Sequence, residues 1–305
     1  MTISWQGVMP AITTSFDANL EVDHAFVARH ATWLIDNGCT GIVALGSLGE
    51  GSTLTQAEKL QVLTTIIKAT NGRVPVVAGI SALSTSEAVL IAKSAADLGC
   101  SGLMVLPPYV YLGDWRENKA HVSAVLKATP LSCMLYNNPV AYTIDYVPEQ
   151  VYELASEHSN LNAIKESSAD VRRIAALRSI MPSDFSLMVG VDDAIVESIN
   201  MGACGWVAGL VNAFPRQSVE LFNLAASGEH ERAFDLYRWF LPLLRMDTVP
   251  KFVQLIKLVQ EEVGMGHSRV RPPRLTLEGS ELAQAKQTIA TALATAHSLT
   301  SNASR

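Results

Sequence analysis

The 305-residue chain is poor in the residues that mark several common protein classes. It has only four cysteines, Cys39, Cys100, Cys133 and Cys204, and none are in C-x-x-C spacing. This argues against a disulfide framework and favours buried free thiols. The seven histidines form no H-x-x-x-H or similar cluster. The sequence therefore predicts neither a metal site nor a bound cofactor.

Positive charge and long apolar runs are also scarce. The formal net charge is −6, so the chain has no basic field to hold nucleic acid. No apolar stretch approaches the roughly 20 residues that cross a bilayer, and we expect no membrane partner. Residues 1–5 lack the charged segment of a secretion signal, and Pro10 interrupts the first apolar run. We expect a cytoplasmic protein.

A loose internal repeat gives the organisation of the chain. Residues 37–45, 98–106 and 201–208 each place a glycine just before a strand-like apolar run. Glycine at a helix C-cap supplies the left-handed turn into such a strand. With hydrophobic residues at 49%, the pattern indicates alternating helices and buried strands around one core. Strands are predicted near 7–12, 41–45, 74–79, 102–106, 132–136, 161–165, 185–190 and 204–208.

Short apolar strands that alternate with helices predict a parallel sheet covered on its outer face. Eight such units close into an α/β fold of the (β/α)8 TIM-barrel type. An open doubly wound sheet is the alternative, but no G-x-G-x-x-G follows the first strand. Beyond the eighth unit, helices are predicted near 230–245, 248–263 and 279–296 without strands between them. We expect a catalytic barrel over residues 1–228 and a C-terminal helical extension over residues 229–305.

Lys165 and Tyr136 are the main candidates for chemistry. Each lies at the end of a predicted strand, so the two would meet at the barrel mouth, the end formed by the C-terminal ends of the strands. An amine made nucleophilic by desolvation and a phenol that transfers protons are what Schiff-base chemistry needs. Alternatively, Lys165 pairs with a carboxylate such as Glu166 and only supports the barrel. Adjacent strand residues point to opposite faces, which makes Glu166 a poor partner.

The loop after the second strand, residues 46–51, is rich in glycine. Its backbone N–H groups can approach a carboxylate closely, and the Ser47 hydroxyl could bridge substrate and Tyr136. The alternative is an ordinary turn into a helix capped by Thr53 or Thr55.

Two later loops also reach the mouth. After strand four, Tyr109 or Tyr111 could line the site or pack at a subunit contact. After strand seven, Gly190 leaves room for a ligand, and Asp192 could bind substrate hydroxyls or cap the next helix.

Three motifs occur in order on strands two, five and six: Gly-Ser-Leu-Gly-Glu at 46–50, Tyr-Asn-Asn-Pro at 136–139 and Ile-Lys-Glu at 164–166. With them, residues 5–275 resemble the dihydrodipicolinate synthase and N-acetylneuraminate lyase family. The resemblance implies a homotetramer built as a dimer of dimers. It implies an imine between Lys165 and a 2-oxo acid, with Tyr136 and Ser47 as proton relay. The substrate-binding set it suggests is Leu48 and Gly49 through their amides, with Ser167, Gly190, Asp192 and Val207.

Three departures from the family pattern concern the substrate. Ala141 stands where the synthases carry an arginine for a second carboxylate, Leu48 replaces a hydroxyl residue, and Val110 replaces a shuttle tyrosine. These changes disfavour dihydrodipicolinate synthesis.

Other segments, among them Gly-Val-Asp-Asp at 190–193, resemble the 1-pyrroline-4-hydroxy-2-carboxylate deaminases of hydroxyproline catabolism. That resemblance implies release of 2-oxoglutarate semialdehyde and ammonia. The alternatives are a 2-keto-3-deoxy sugar acid dehydratase or aldolase, and a non-catalytic regulator that binds a 2-oxo acid.

Overall fold

Eight parallel strands alternate with helices and close into a barrel, which confirms the predicted TIM-barrel fold. The computed structural model describes residues 3–302, with side chains described for residues 3–295. The strands are β1 Gly7–Pro10, β2 Ile42–Ala44, β3 Val76–Ile80, β4 Gly102–Val105, β5 Ser132–Asn137, β6 Leu161–Glu166, β7 Ser186–Val189 and β8 Gly205–Ala208.

The sheet order runs β1-β8-β7-β6-β5-β4-β3-β2, and every neighbouring pair is parallel. A single parallel bridge between Ala11 and Val43 joins β1 to β2 and completes the ring. The predicted first strand extended to residue 12, but regular pairing ends at Pro10. Beyond that point the chain keeps this bridge and a hydrogen bond from the Ala11 N–H to the Ala208 carbonyl at 2.8 Å.

Helices cover the outside of the barrel, so the strands are buried on both faces. Thr55, one of the two residues predicted as the cap, caps the second helix through reciprocal hydrogen bonds with Glu58. The helices are α1 His24–Asp36, α2 Gln56–Thr70, α3 Thr85–Asp97, α4 Trp115–Lys127, α5 Pro139–Tyr142, α6 Pro148–Glu157, α7 Arg172–Ile180, α8 Ile195–Asn200, α9 Pro215–Ala226, α10 His230–Leu244, α11 Phe252–Glu262 and α12 Gly279–Asn302.

The last three helices follow the barrel; α10 and α11 pack against it, and α12 packs against α10 and α11. In α10, Phe240 is fully buried with its ring centre 5.7 Å from that of Phe214, just before α9. The predicted helix over 248–263 begins later, at Phe252. A 3-10 turn at Arg245–Asp247 and the residues up to Lys251 separate α10 from α11, and this turn approaches the barrel mouth.

The cysteines are free thiols, as the sequence predicts. Burial raises the pKa of Cys39, Cys100 and Cys133 to about 12, so these three stay protonated. Within residues 3–302, no helix combines the length and the apolar character needed to cross a bilayer.

Candidate active site

Lys165 lies one residue before the end of β6 and is only 6% exposed. The register places it directly beside Tyr136 of β5, and its Nζ is 4.4 Å from the centre of the Tyr136 ring. No carboxylate of the described residues lies within 4.0 Å of its ammonium. The amine is therefore buried without an ion-pair partner.

Glu166, the suggested structural partner, faces away from Lys165. It accepts hydrogen bonds from Asn137 Nδ2 at 2.9 Å and from the Ser168 backbone N–H at 2.6 Å. Burial raises the pKa of Glu166 despite these bonds. Its two donors tie the ends of β5 and β6 together, and Lys165 stays unpaired beside them.

Ser47 and Tyr136 are linked through a third residue, Tyr142. The Ser47 hydroxyl is hydrogen-bonded to the Tyr142 hydroxyl, and the Tyr142 ring stands edge-on to Tyr136 with centres 5.9 Å apart. The Tyr136 hydroxyl itself accepts from Asn138 Nδ2 at 2.9 Å. Burial, reinforced by Tyr109 and Tyr136, raises the pKa of Tyr142 well above its usual value. Tyr142 therefore remains a protonated hydrogen-bond donor.

The sequence interpretation did not include Tyr142. A local signal exists, because Asn138 accepts from the backbone of Ala141 and Pro139 opens α5 directly after β5. A short helix at that point must hold its last residue, Tyr142, near the barrel mouth. Only the fold shows that this residue turns toward Ser47.

Of the two candidate tyrosines after β4, Tyr109 is the one that joins the site. Its ring centre is 5.5 Å from that of Tyr142, and burial raises its pKa. Tyr111 is 56% exposed and donates to Glu117 at 2.9 Å. Val110 between them is 89% exposed, with a left-handed φ of 71°. Strain of this kind concentrates in loops with a function.

The loop after β2 presents two backbone donors. The N–H groups of Leu48 and Gly49 donate to no protein acceptor among the described residues. The loop is nevertheless held firmly, because the Thr14 hydroxyl donates to the Gly49 carbonyl at 2.7 Å. A methyl group at Gly51 would lie 2.2 Å from the Leu45 carbonyl oxygen, so this position needs glycine. Such a fixed pair of N–H groups suits a carboxylate.

Gly190, just after β7, gives space to two site residues. A methyl group there would lie 1.9 Å from Ser167 Oγ and 2.4 Å from Lys165 Cε. Ser167 is buried, and its hydroxyl has no hydrogen-bond partner among the described residues. Because buried hydroxyls are nearly always paired, this one is available to a ligand.

Asp192 supports the end of β8 and does not cap the helix that follows it in the chain. It is fully buried and accepts from Trp206 Nε1 at 2.9 Å, Gly209 N at 3.0 Å and Leu210 N at 2.7 Å. Burial raises its pKa to about 6, against these hydrogen bonds and the charge of Lys165. Val207 lies in β8 beside Trp206 and is buried in the barrel.

The sequence comparison assigns the family. The sequence model of the dihydrodipicolinate synthetase family matches residues 4–292. The chain belongs to this family. Membership makes it an enzyme of the lyase type. No group of three or more His, Cys, Asp or Glu side chains in the part of the chain that the structure describes is arranged to hold a metal ion.

Three similar proteins illustrate the dihydrodipicolinate synthetase family. A 4-hydroxy-tetrahydrodipicolinate synthase of Methanopyrus kandleri is 32% identical over 88% of this chain and 90% of its own. The structure of a dihydrodipicolinate synthase from Bacillus anthracis has a TM-score of 0.90 and 27% identity, covering 95% of this chain and 99% of its own. A prophage protein of the family from E. coli K12, solved in complex with pyruvate, has a TM-score of 0.88 and 26% identity, covering 94% and 98%.

Proposed function

We propose that this protein is a Schiff-base enzyme in which Lys165 attacks a 2-oxo acid or an equivalent cyclic imine. The observation that carries the proposal is a buried amine with no carboxylate partner, 4.4 Å from the ring centre of Tyr136. An amine held away from water and not paired with a carboxylate can act as a nucleophile once its proton is removed. The Tyr136, Tyr142 and Ser47 hydroxyls supply groups for proton transfer.

A 2-oxo acid fits the remaining donors. The free N–H groups of Leu48 and Gly49 would bind its carboxylate, and Ser167 Oγ would contact a substituent further along the chain. A pyruvate complex of the related prophage protein supports this class of ligand. Val207 and Gly190 would then line the space beside the reacting carbon.

We propose 1-pyrroline-4-hydroxy-2-carboxylate as the substrate, with deamination as the reaction. Lys165 adds to C2 of the ring, and cleavage of the C2–N bond leaves an enzyme iminium and a free amine on C5. Removal of a C3 proton and departure of the 4-hydroxyl eliminates one water. Proton shifts move the double bond to the C5 amine, and hydrolysis of both imines consumes two waters. The products are 2-oxoglutarate semialdehyde and ammonia, with Lys165 restored.

Ala141 is the residue that favours this substrate over a dicarboxylate. The relative from M. kandleri is named as a synthase. The motif resemblance implies an arginine at this position in the synthases. Ala141 carries no charge, and its backbone N–H is used by Asn138. A second substrate carboxylate would lose the charge-assisted contact that this arginine makes in the synthases. The proposed substrate has only one carboxylate.

The test combines trapping with a substrate panel. Borohydride added with pyruvate should reduce an imine on Lys165 and give a stable mass increase on its peptide. The purified protein should release ammonia from 1-pyrroline-4-hydroxy-2-carboxylate. Turnover of a 2-keto-3-deoxy sugar acid alone would instead indicate the dehydratase or aldolase, and ligand binding without any trapping would indicate a non-catalytic regulator. Condensation of pyruvate with aspartate semialdehyde, without ammonia release, would reject the deaminase.

We also propose that the chain assembles as a homotetramer, with residues 229–305 forming a helical extension of a barrel over residues 1–228. Large apolar side chains are exposed in the loop after β4, at Val110, Tyr111 and Leu112, and in α5, at Val140. Exposed apolar groups of this kind favour a subunit contact. Light scattering of the purified protein tests the assembly. The free thiols, three of them buried, support our proposal of a cytoplasmic location, which cell fractionation would test.

A further inference from the structure

Asp247 brings a carboxyl group to the barrel mouth from outside the barrel. It is the last residue of the 3-10 turn between α10 and α11. Its carboxyl lies against Gly209, directly after β8, where a methyl group would be 2.0 Å from Asp247 Oδ1. Gly209 thus leaves the room that this side chain occupies.

The Asp247 carboxyl has no protein partner on the side that faces the barrel. Its Oδ1 is buried and has no hydrogen-bond partner among the described residues. Neighbouring Asp192, in contrast, accepts from Trp206, Gly209 and Leu210. Buried polar atoms are nearly always paired, and an unpaired one costs stability. A carboxyl left unpaired at the barrel mouth is therefore available to a substrate.

The surrounding charges determine which carboxyl of the pair is ionised. Burial, followed by the charge of Asp192, raises the pKa of Asp247 well above its usual value. Asp193 acts in the same direction, and Lys165 opposes it. Because Asp192 has three donors and Asp247 has none at Oδ1, we assign the negative charge to Asp192 and the proton to Asp247.

We propose that Asp247 is the general acid for loss of the 4-hydroxyl group from the imine formed on Lys165. The proposal rests on the Schiff-base function above. Tyr136 gives its proton to the ring nitrogen as the C2–N bond breaks, and the resulting phenolate takes the C3 proton while the C3–H electron pair forms the C3=C4 bond. The C4–O bond breaks with its electron pair on oxygen, which takes the Asp247 proton and leaves as water. The Asp247 carboxylate then takes a C5 proton from the conjugated iminium and is again the acid.

The roles of Asp247 and Tyr136 can be measured separately. Asp247→Asn keeps the size of the side chain but cannot give up a proton. It should lower kcat for ammonia release by about 10²–10⁴-fold, with KM changed only a few-fold. It should still trap pyruvate with borohydride and exchange the methyl hydrogens of pyruvate with deuterium oxide. Tyr136→Phe should slow that exchange.

Asp235→Asn is the matched control, because it removes an exposed carboxylate of α10 that pairs with Arg238 at 2.7 Å. It should retain the wild-type kcat. Asp247→Asn should also keep the midpoint of thermal unfolding, because an amide replaces a neutral, unpaired carboxylic acid of the same size. A residue that served only the fold would lose stability instead. Gly209→Ala, which forces Asp247 away, should reproduce the kcat loss.

The outcomes of these experiments separate the role of Asp247 from the Schiff-base function of Lys165. Full ammonia release by Asp247→Asn, or an equal loss of pyruvate exchange in that variant, would overturn the role of Asp247 alone. Wild-type trapping of pyruvate without loss of the 4-hydroxyl from any substrate would also overturn it. Absence of trapping in the wild-type protein would reject the Schiff-base function, and the acid role with it.

Discussion

Two buried lysines in this protein have similar surroundings and different uses. Lys165 and Lys257 both place Nζ 4.4 Å from the centre of an aromatic ring, that of Tyr136 and that of Phe16. Lys257 is paired with Glu50 and donates to the Arg269 carbonyl at 2.7 Å. Lys165 has no such counter-charge among the described residues. Burial and ring contact therefore do not identify the reactive amine, whereas the missing partner does.

The paired lysine supports the site of the unpaired one. Glu50 ends the glycine-rich loop with a left-handed φ of 53°, and it also accepts from the Arg271 backbone N–H at 3.0 Å. The Lys257 pair thus ties the loop after β2 to α11. The same loop carries the two free N–H groups that we assign to the substrate carboxylate. The buried Lys257–Glu50 pair therefore also fixes the position of the loop that we assign to substrate binding.

Replacing the unpaired lysine should have the largest effect on activity. Lys165→Met should abolish borohydride trapping and ammonia release while the protein remains folded, because the only proposed nucleophile is gone. Circular dichroism and peptide mass mapping would check this. A reduced adduct on Lys257, or on any other lysine, would show that the reactive amine is misassigned.

The next largest effect on activity is expected when the aromatic ring beside Lys165 is made the same as the ring beside Lys257. Tyr136→Phe gives Lys165 the kind of ring that Phe16 offers Lys257, and it removes only a hydroxyl. Turnover should fall by about 10²–10⁴-fold, the usual contribution of a positioned acid–base group. Adding Ser47→Ala or Tyr142→Phe should then cost little more. Losses that multiply in the double variants would contradict a single relay.

Breaking the paired lysine should instead reduce stability. Lys257→Met leaves the buried Glu50 carboxylate without its ammonium and should cost about 3 kcal/mol in the free energy of unfolding, measured by urea denaturation. We expect the low end of the usual range because the Arg271 N–H remains and Arg274 lies 3.9 Å away. Adding Glu50→Gln should recover part of the loss. If Lys257→Met were as stable as wild type, the anchor role would be rejected.

The smallest effect is a pH dependence near the same anchor. The hydrogen bond from Arg271 lowers the pKa of Glu58 to about 2, below its usual value of 4.5. The folded state thus favours the ionised carboxylate, so this contribution is present above pH 4.5 and is lost as the pH falls toward 2. Glu58→Gln should reduce the fall in the free energy of unfolding between pH 4.5 and pH 2. An unchanged fall over this pH range would argue against the hydrogen bond between Arg271 and Glu58.

The strand ends were predictable because parallel strands impose a simple rule. Short apolar runs predicted β5 and β6, and the barrel then required their C-terminal ends to lie side by side. This is why Lys165 and Tyr136 could be paired in advance. The start of α11 was less predictable, since residues 248–251 have a helical pattern but form part of the connection that follows the Asp247 turn.

The sequence alone determined the barrel, the family motifs and the positions of Lys165, Tyr136 and Ser47, because local periodicity and short motifs encode them. The tertiary structure alone decided which groups stay without partners. Tyr142 reaches Ser47, Glu50 takes Lys257, and Asp247 arrives from the C-terminal helices at Gly209. Such contacts join residues up to 207 positions apart, and no local pattern specifies them. The reactivity of a buried charge depends on these distant neighbours, which only the folded chain brings together.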